Sequence, residues 1–265
     1  MKNNNLNILG WNINQRCGKS KNHELPKLIS EEILSRNVDI FILTEFYLVK
    51  NYQSFIDEME KNNYLIKYSD HKGISNEVLI GVKKHLINDE FSFKDFSKFQ
   101  CNLLPDFIHV TLGDLNIIGA RIKIGSNLKT QESMDKDFLE RENQLKTIVN
   151  YTSKLDGRIL GLGDFNNGRY KDGDSINSYP GVARQYYSYP LILKYFNDYG
   201  IEVHTPKELC SWKDQWNNHY KLDHIFAKDI IISDIKYDWD FTKRDDYKKT
   251  VGYPDHAILI AEIAF

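Results

Sequence analysis

The feature that most constrains this chain is the way its apolar residues are parcelled out. Short runs rich in Ile and Val recur at 6–13, 38–43, 77–82, 107–112, 115–124, 158–162, 222–227, 230–237 and 256–263, each bounded by polar residues. Runs of that length and make-up predict strands. Between them lie patterns of helical period. Leu25, Leu28, Ile29 and Ile33 share one face, as do Leu145, Ile148, Val149 and Thr152, while 55–59 and 191–196 are shorter helical candidates. Pro26 suits a first helical turn. Gly113-Asp114 predicts a tight hairpin, and the two-residue link Lys228-Asp229 predicts another between 222–227 and 230–237. Such links demand antiparallel neighbours, whereas strand 6–13, a helix and strand 38–43 form a unit that joins parallel strands. The sheet must therefore be mixed, with helices on its outer faces, and the fold class is α/β.

No repeat, low-complexity tract or Pro/Gly-rich linker divides the sequence, so residues 1–265 read as a single domain. A chain of that length can bury about three quarters of its surface. Thirty-five Lys and Arg against 37 Asp and Glu give a net charge of -2, which excludes a global basic field and makes any polyanion binding local. Apolar stretches such as 40–43 and 257–260 fall far short of the roughly 20 residues of a membrane-crossing helix. The polar opening, Met1-Lys2-Asn3-Asn4-Asn5-Leu6, lacks the apolar core of a secretory signal, and a cytoplasmic location is expected. Cys17, Cys101 and Cys210 are odd in number and widely spaced, which suits neither a disulfide framework nor a zinc cluster. They read as plain thiols.

The polar residues that end or open the strands carry the functional signal. Asn12 closes the first strand, Glu45 follows Ile40-Phe41-Ile42-Leu43-Thr44, and Asp164 follows Ile159-Leu160-Gly161-Leu162-Gly163. Two late strands reverse the order, with Asp223-His224 opening one and Asp255-His256 opening the other. If the late strands run antiparallel to the early ones, their starts meet the early strands' ends, and five polar positions converge on one edge. A lone strand-terminal Asp or Asn is usually a turn former or helix cap. Five together, with small residues around the acid and amide of Gly163-Asp164-Phe165-Asn166-Asn167-Gly168, point instead to an active site.

At these residues the chain resembles the endonuclease/exonuclease/phosphatase superfamily, over essentially its full length. The family's opening strand ending in Asn is matched by Leu9-Gly10-Trp11-Asn12, and its acidic strand end by Leu43-Thr44-Glu45. Its Gly-Asp-Phe-Asn signature is residues 163–166, its late-strand Asp is Asp223 in Lys221-Leu222-Asp223-His224, and its closing Ser-Asp-His is similar to Pro254-Asp255-His256. The resemblance implies a DNase-I-like four-layer α/β sandwich, two mixed and mainly antiparallel sheets packed face to face with helices outside. Two positions depart from the pattern. Arg121 stands where many members carry His or Tyr, and Pro254 replaces the usual Ser, removing a hydroxyl and an amide donor beside Asp255.

The resemblance also implies phosphate-ester hydrolysis, which needs neutralised phosphoryl oxygens, an activated water and a stabilised leaving oxygen. Glu45, with Asn12 and Asp255 nearby, would hold a metal, and hard oxygen ligands suit Mg²⁺ or Mn²⁺. Asp164 would orient or deprotonate water, and the Asn166 amide would donate to phosphate. His256, paired with Asp223, would contact the phosphate as imidazolium. Arg121 could donate to the phosphate or the leaving oxygen, but a guanidinium cannot act as a general acid near neutral pH.

The loops expected on this edge mix basic and aromatic residues. Arg16, Lys19 and Lys21 follow Asn12, and Arg169, Tyr170, Lys171, Arg184, Tyr186 and Tyr187 follow Asn166, as a rim for phosphates and stacked bases would. Asp172, Asp174, Asp245 and Asp246 dilute that charge. Arg16, Arg169, Tyr170 and Asn76 are the candidate substrate contacts. The reading is a metal-dependent phosphodiester hydrolase, a nuclease on DNA or RNA. The alternatives are a phosphatase on a small or lipid-linked phosphate ester and a catalytically silent binding module of the same fold.

Overall fold

The computed structural model describes residues 5–15, 24–69, 77–97, 104–125, 130–167, 187–215 and 217–265. Two six-stranded sheets dominate it. The first contains β1 (Leu6–Asn12), β2 (Ile40–Phe46), β3 (Tyr64–Tyr68), β4 (Glu77–Lys83), β13 (Ile231–Asp238) and β14 (Ile258–Ala264), in the order β13-β14-β1-β2-β4-β3. The second contains β5 (Ser92–Asp95), β6 (Asp106–Leu112), β7 (Leu115–Arg121), β8 (Arg158–Asp164), β9 (Glu202–His204) and β12 (Asp223–Lys228), in the order β5-β6-β7-β8-β12-β9. A short ribbon pairs β10 (Trp212–Lys213) with β11 (His219–Tyr220). Four α-helices are described: α1 (Lys27–Ser35), α2 (Tyr52–Lys61), α3 (Gln131–Thr152) and α4 (Tyr189–Asn197). None of the described helices is long and apolar enough to cross a membrane.

The period-two alternation of each central strand explains the layering. On β2, Ile40 and Ile42 join an apolar cluster with Ile108, Val110, Ile117, Leu160, Leu162 and Ile225 of the other sheet, while Phe41 and Leu43 face α1 and α2. All four are fully buried, so β2 is apolar on both faces and reads as a continuous run rather than an alternating one. The outer face of the second sheet, through Ile118, Ala120, Ile159 and Phe226, packs on α3 and α4. The result is helices, sheet, sheet, helices. Parallel pairs occur at β1/β2, bridged by α1, and at β7/β8, bridged by α3; every other pair within the two sheets is antiparallel.

The structure corrects the second hairpin. β12 and β13 follow one another across Asp229 and Ile230 but lie in different sheets, so this short link carries the chain from one sheet to the other. A two-residue link fixes proximity, not pairing, and Asp229 at φ 56 supplies the sharp change of direction. The Gly113-Asp114 hairpin forms as expected, with Gly113 at φ 60 and Leu112 opposite Leu115. Boundaries move elsewhere. β7 stops at Arg121, β14 starts at Ile258, and 145–152 is the end of the 22-residue α3, whose start is closed by a capping box of Thr130 and Ser133. Strands β3, β5, β9, β10 and β11 carry no strong Ile/Val signal.

Candidate active site

The same alternation decides which polar residues meet. On β8, Leu160 and Leu162 point between the sheets, so Asp164 does too; on β1, Ile8 sets the same direction for Asn12; on β12, Ile225 sets it for Asp223; on β7, Ile117 sets it for Arg121. Register brings the strand ends level. Arg121 lies beside Asp164 on one side and Asp106 on the other, and Asp223 lies opposite Asp164. Gly163 is required here, because a Cβ at that position would sit 1.7 Å from the carbonyl oxygen of Ala120.

Asp164 is the centre of the cluster and is buried. Its Oδ2 accepts from Asn12 Nδ2 at 2.9 Å and from Asn166 Nδ2 at 2.9 Å, and its Oδ1 accepts the Asn166 backbone N–H at 2.9 Å. The amide orientations are fixed by other partners: Asn12 Oδ1 accepts the Asn14 N–H at 2.9 Å, and Asn166 Nδ2 also donates to the Ile122 carbonyl at 2.8 Å. Burial raises the Asp164 carboxyl to about 7; Asp223 and Glu45 push the same way, while His256 and Arg121 oppose it.

His256 Nδ1 donates to Asp223 Oδ2 at 2.7 Å, both side chains being buried. Burial disfavours the charged ring, but Asp223, with Asp164 and Asp255 nearby, outweighs it and lifts His256 to about 10. The ring is an imidazolium at neutral pH. Its backbone is held by Trp11 Nε1, which donates to the His256 carbonyl at 3.0 Å, and by Ala257 N–H, which donates to Ser211 O at 2.7 Å. Asp255 accepts from Trp212 Nε1 at 3.3 Å.

Glu45 follows Thr44, which points inward, and alternation alone would send it outward. An irregularity in the β2/β4 pairing and a positive φ of 52 re-aim it. For a non-glycine residue that conformation costs on the order of 1 kcal/mol. It places Glu45 Oε1 2.7 Å from Arg121 Nη2. Arg121 Nη1 lies 3.7 Å from Asp106 Oδ2, and Lys123 Nζ lies 2.8 Å from Asp106 Oδ1. Burial works against the guanidinium's charge, but Glu45, Asp106 and Asp164 more than restore it, so its pKa is raised.

Solved structures share this arrangement of sheets and helices. The 3' phosphatase NExo from Neisseria bound to a product DNA hairpin matches at 17% identity with a TM-score of 0.64, over 97% of this chain and 98% of its own. An AP endonuclease from Archaeoglobus fulgidus matches at 16% and 0.65, over 97% and 98%. TDP2 from D. rerio complexed with a single-strand DNA product matches at 13% and 0.60, over 98% of each chain. The chain shares the DNase-I-like fold of these structures. No protein-family model matches it, and no curated protein matches it significantly.

In this DNase-I-like sandwich the ligand atoms of Asp164, Asp223 and His256 lie within 4.8 Å of one another. In that trio His256 Nδ1 is already hydrogen-bonded to Asp223 Oδ2 at 2.7 Å, a contact that a metal bound there through these two atoms would have to replace. The wider cluster suits a hard cation better. Among the described residues, the carboxylates of Glu45, Asp106, Asp164, Asp223 and Asp255 share this end with the cations of Arg121, Lys123 and His256. Acids outnumber cations in this cluster, and every acid offers oxygen, the donor a hard divalent ion prefers.

Two sequence expectations change. Both amide hydrogens of Asn166 are engaged, by Ile122 and Asp164, so this residue positions Asp164 rather than donating to a phosphate. Tyr187 does not rim the site; it is fully buried against Phe138, and its hydroxyl donates to the Phe165 carbonyl. Arg16, Asn76, Arg169 and Tyr170 lie outside the described residues. Loss of Ser at 254 leaves the Asp223–His256 pair intact.

Other residues the sequence reading passed over complete the scaffold. The Ser211 hydroxyl accepts the Leu222 and Asp223 N–H groups at 2.7 and 3.2 Å, tying the start of β12 to the segment that carries His256. Tyr237 OH donates to the Asp223 carbonyl at 2.6 Å. On α3, buried Arg141 pairs with Asp137 and donates to the Asn166 carbonyl, while Asp137 accepts the Gly125 N–H at 2.5 Å. One buried ion pair thus holds the turns that follow both β7 and β8.

Proposed function

We propose that this protein is a divalent-metal-dependent phosphodiester hydrolase acting on nucleic acid. The observation that carries the reading is the imidazolium of His256, held by Asp223, set beside an Asp164 carboxyl that three hydrogen bonds orient. Such a pair of groups, one donating and one accepting, is what hydrolysis of a phosphate ester asks of a protein. Asp164 orients water and takes its proton. His256 Nε2, the ring nitrogen turned away from Asp223, donates to a phosphoryl oxygen, and Arg121 supplies further donors.

Glu45, with Asn12 and Asp255 nearby, would hold Mg²⁺ or Mn²⁺, and Asn12 also donates to Asp164 alongside. When bound, the ion supplies positive charge to the phosphoryl and leaving oxygens. The choice of nucleic acid is supported by the same-fold proteins seen with DNA products and by the basic and aromatic residues of the sequence after Asn12 and Asn166.

The test is product analysis with Mg²⁺ or Mn²⁺ against plasmid, single-stranded DNA, RNA and phosphomonoesters. Shortened polymer is the expected product. Free phosphate from monoesters with intact polymer would make the protein a phosphatase, and absence of any product would leave the fold serving as a binding module.

A further inference from the structure

The guanidinium of Arg121 sits on Glu45, the carboxylate assigned above to the metal. The contact is short, at 2.7 Å, and both side chains are about 13% exposed, so water does little to screen it. The partnership is built into the backbone. Glu45 is swung out of strand alternation by its positive φ, and Gln15 N–H and Ile13 N–H donate to the Glu45 and Thr44 carbonyls at 3.0 Å, which fixes that turn against β1.

Arg121 also has a second acid within reach. Asp106 lies opposite it in the hairpin register, with Nη1 3.7 Å from Oδ2, farther than a hydrogen bond and close enough to become one by a side-chain rotation. Asp106 is already neutralised in part by Lys123 at 2.8 Å. Among the described residues the guanidinium Nε is buried and makes no hydrogen bond, so the present pose leaves one donor unused.

Resting on the metal-dependent reading, we infer that Arg121 is a resident counter-ion that competes with the divalent cation for Glu45 and sets how tightly the site holds it. With Glu45 engaged by a metal, the guanidinium would be free to turn toward Asp106, and its remaining donors would be left for the substrate phosphate. No bond is made or broken; two cations exchange on one carboxylate.

The experiment is Mn²⁺ titration by calorimetry and by the electron-spin signal of the free ion, without substrate. Four proteins are compared: wild type, Arg121→Met, Lys123→Met and Arg121→Lys, each checked for folding by circular dichroism. Lys123→Met removes the same charge from the same cluster, at the side chain that contacts Asp106. Arg121→Met should tighten Mn²⁺ binding at least about tenfold, and Lys123→Met should change it less than about threefold, since only the first removes a direct competitor. A third substitution, Arg121→Lys, keeps the charge and should stay near wild type. Equal or weaker binding by Arg121→Met, or an equal gain from Lys123→Met, overturns the inference while leaving the metal site standing. Absence of Mn²⁺ binding by every protein overturns both.

Discussion

Asn12 and Asp164 belong to different sheets, and the 2.9 Å hydrogen bond between them spans the sandwich at its polar end. It is possible because both side chains keep the inward direction of the apolar residues that precede them on their strands. The site is thus an extension of the intersheet core in which the strand-end residue at this edge, last on β1, β7 and β8 and first on β6 and β12, is polar instead of apolar.

Asp164→Asn should lower turnover at least about a hundredfold and also cost some stability. Both oxygens of the buried acid accept N–H donors, and an amide NH2 in place of either would face a donor instead. Steady-state rates set beside melting temperatures check this.

Asp223→Asn should act differently. Removing one charge of a buried ion pair strands the other, at a cost of about 3 kcal/mol or more, and turnover should fall as the ring loses its proton near neutral pH. Denaturant unfolding should show the loss. The double substitution with His256→Gln should be more stable than Asp223→Asn alone.

Arg141→Met should lower kcat while leaving KM nearly unchanged. Arg141 touches the Asn166 carbonyl and Asp137, not the open end of the cluster, so its loss blurs the placing of Asp164 without removing a substrate contact. Comparable losses in kcat and KM would mean that it only holds the fold.

His224 gives a pH dependence to stability. It is fully buried between Thr205 and Asn167, its ring nitrogens 2.7 Å from each, and burial pushes it down to about 3 from an ordinary 6.5. The unfolded chain therefore takes up the proton first as pH falls. This contribution is complete above about pH 6.5 and is lost between there and about 3. From pH 7 to pH 5 the loss is about 2 kcal/mol, a figure set by the unfolded pKa alone. Urea unfolding at the two pH values, with His224→Asn as the reference, measures it.

Much of this site was legible because strand alternation is a strong signal and the polar residues interrupt it at strand ends. Asp106 was legible too and was passed over. A two-residue turn at Gly113-Asp114 places residue 106 opposite residue 121, and Asp106 opens its strand as Asp223 does. What the sequence concealed was conformational. The positive φ of Glu45 contradicts its residue type, and the sheet change at Asp229 looks locally like a hairpin. Whether an amide such as that of Asn166 faces solvent or a carbonyl depends on a neighbouring strand far along the chain. Edge strands β5 and β9 face partners on one side only, so they need little apolar residue and left no pattern.

The most direct measurement is the cleavage rate of an end-labelled oligonucleotide drawn from the substrate panel, for wild type and His256→Ala, with Mg²⁺ and after chelation. The account predicts cleavage by wild type with metal, loss on chelation with recovery on adding Mg²⁺ back, and at least about a hundredfold loss in the variant. Undiminished cleavage by His256→Ala, or cleavage that persists in full after chelation, would contradict it.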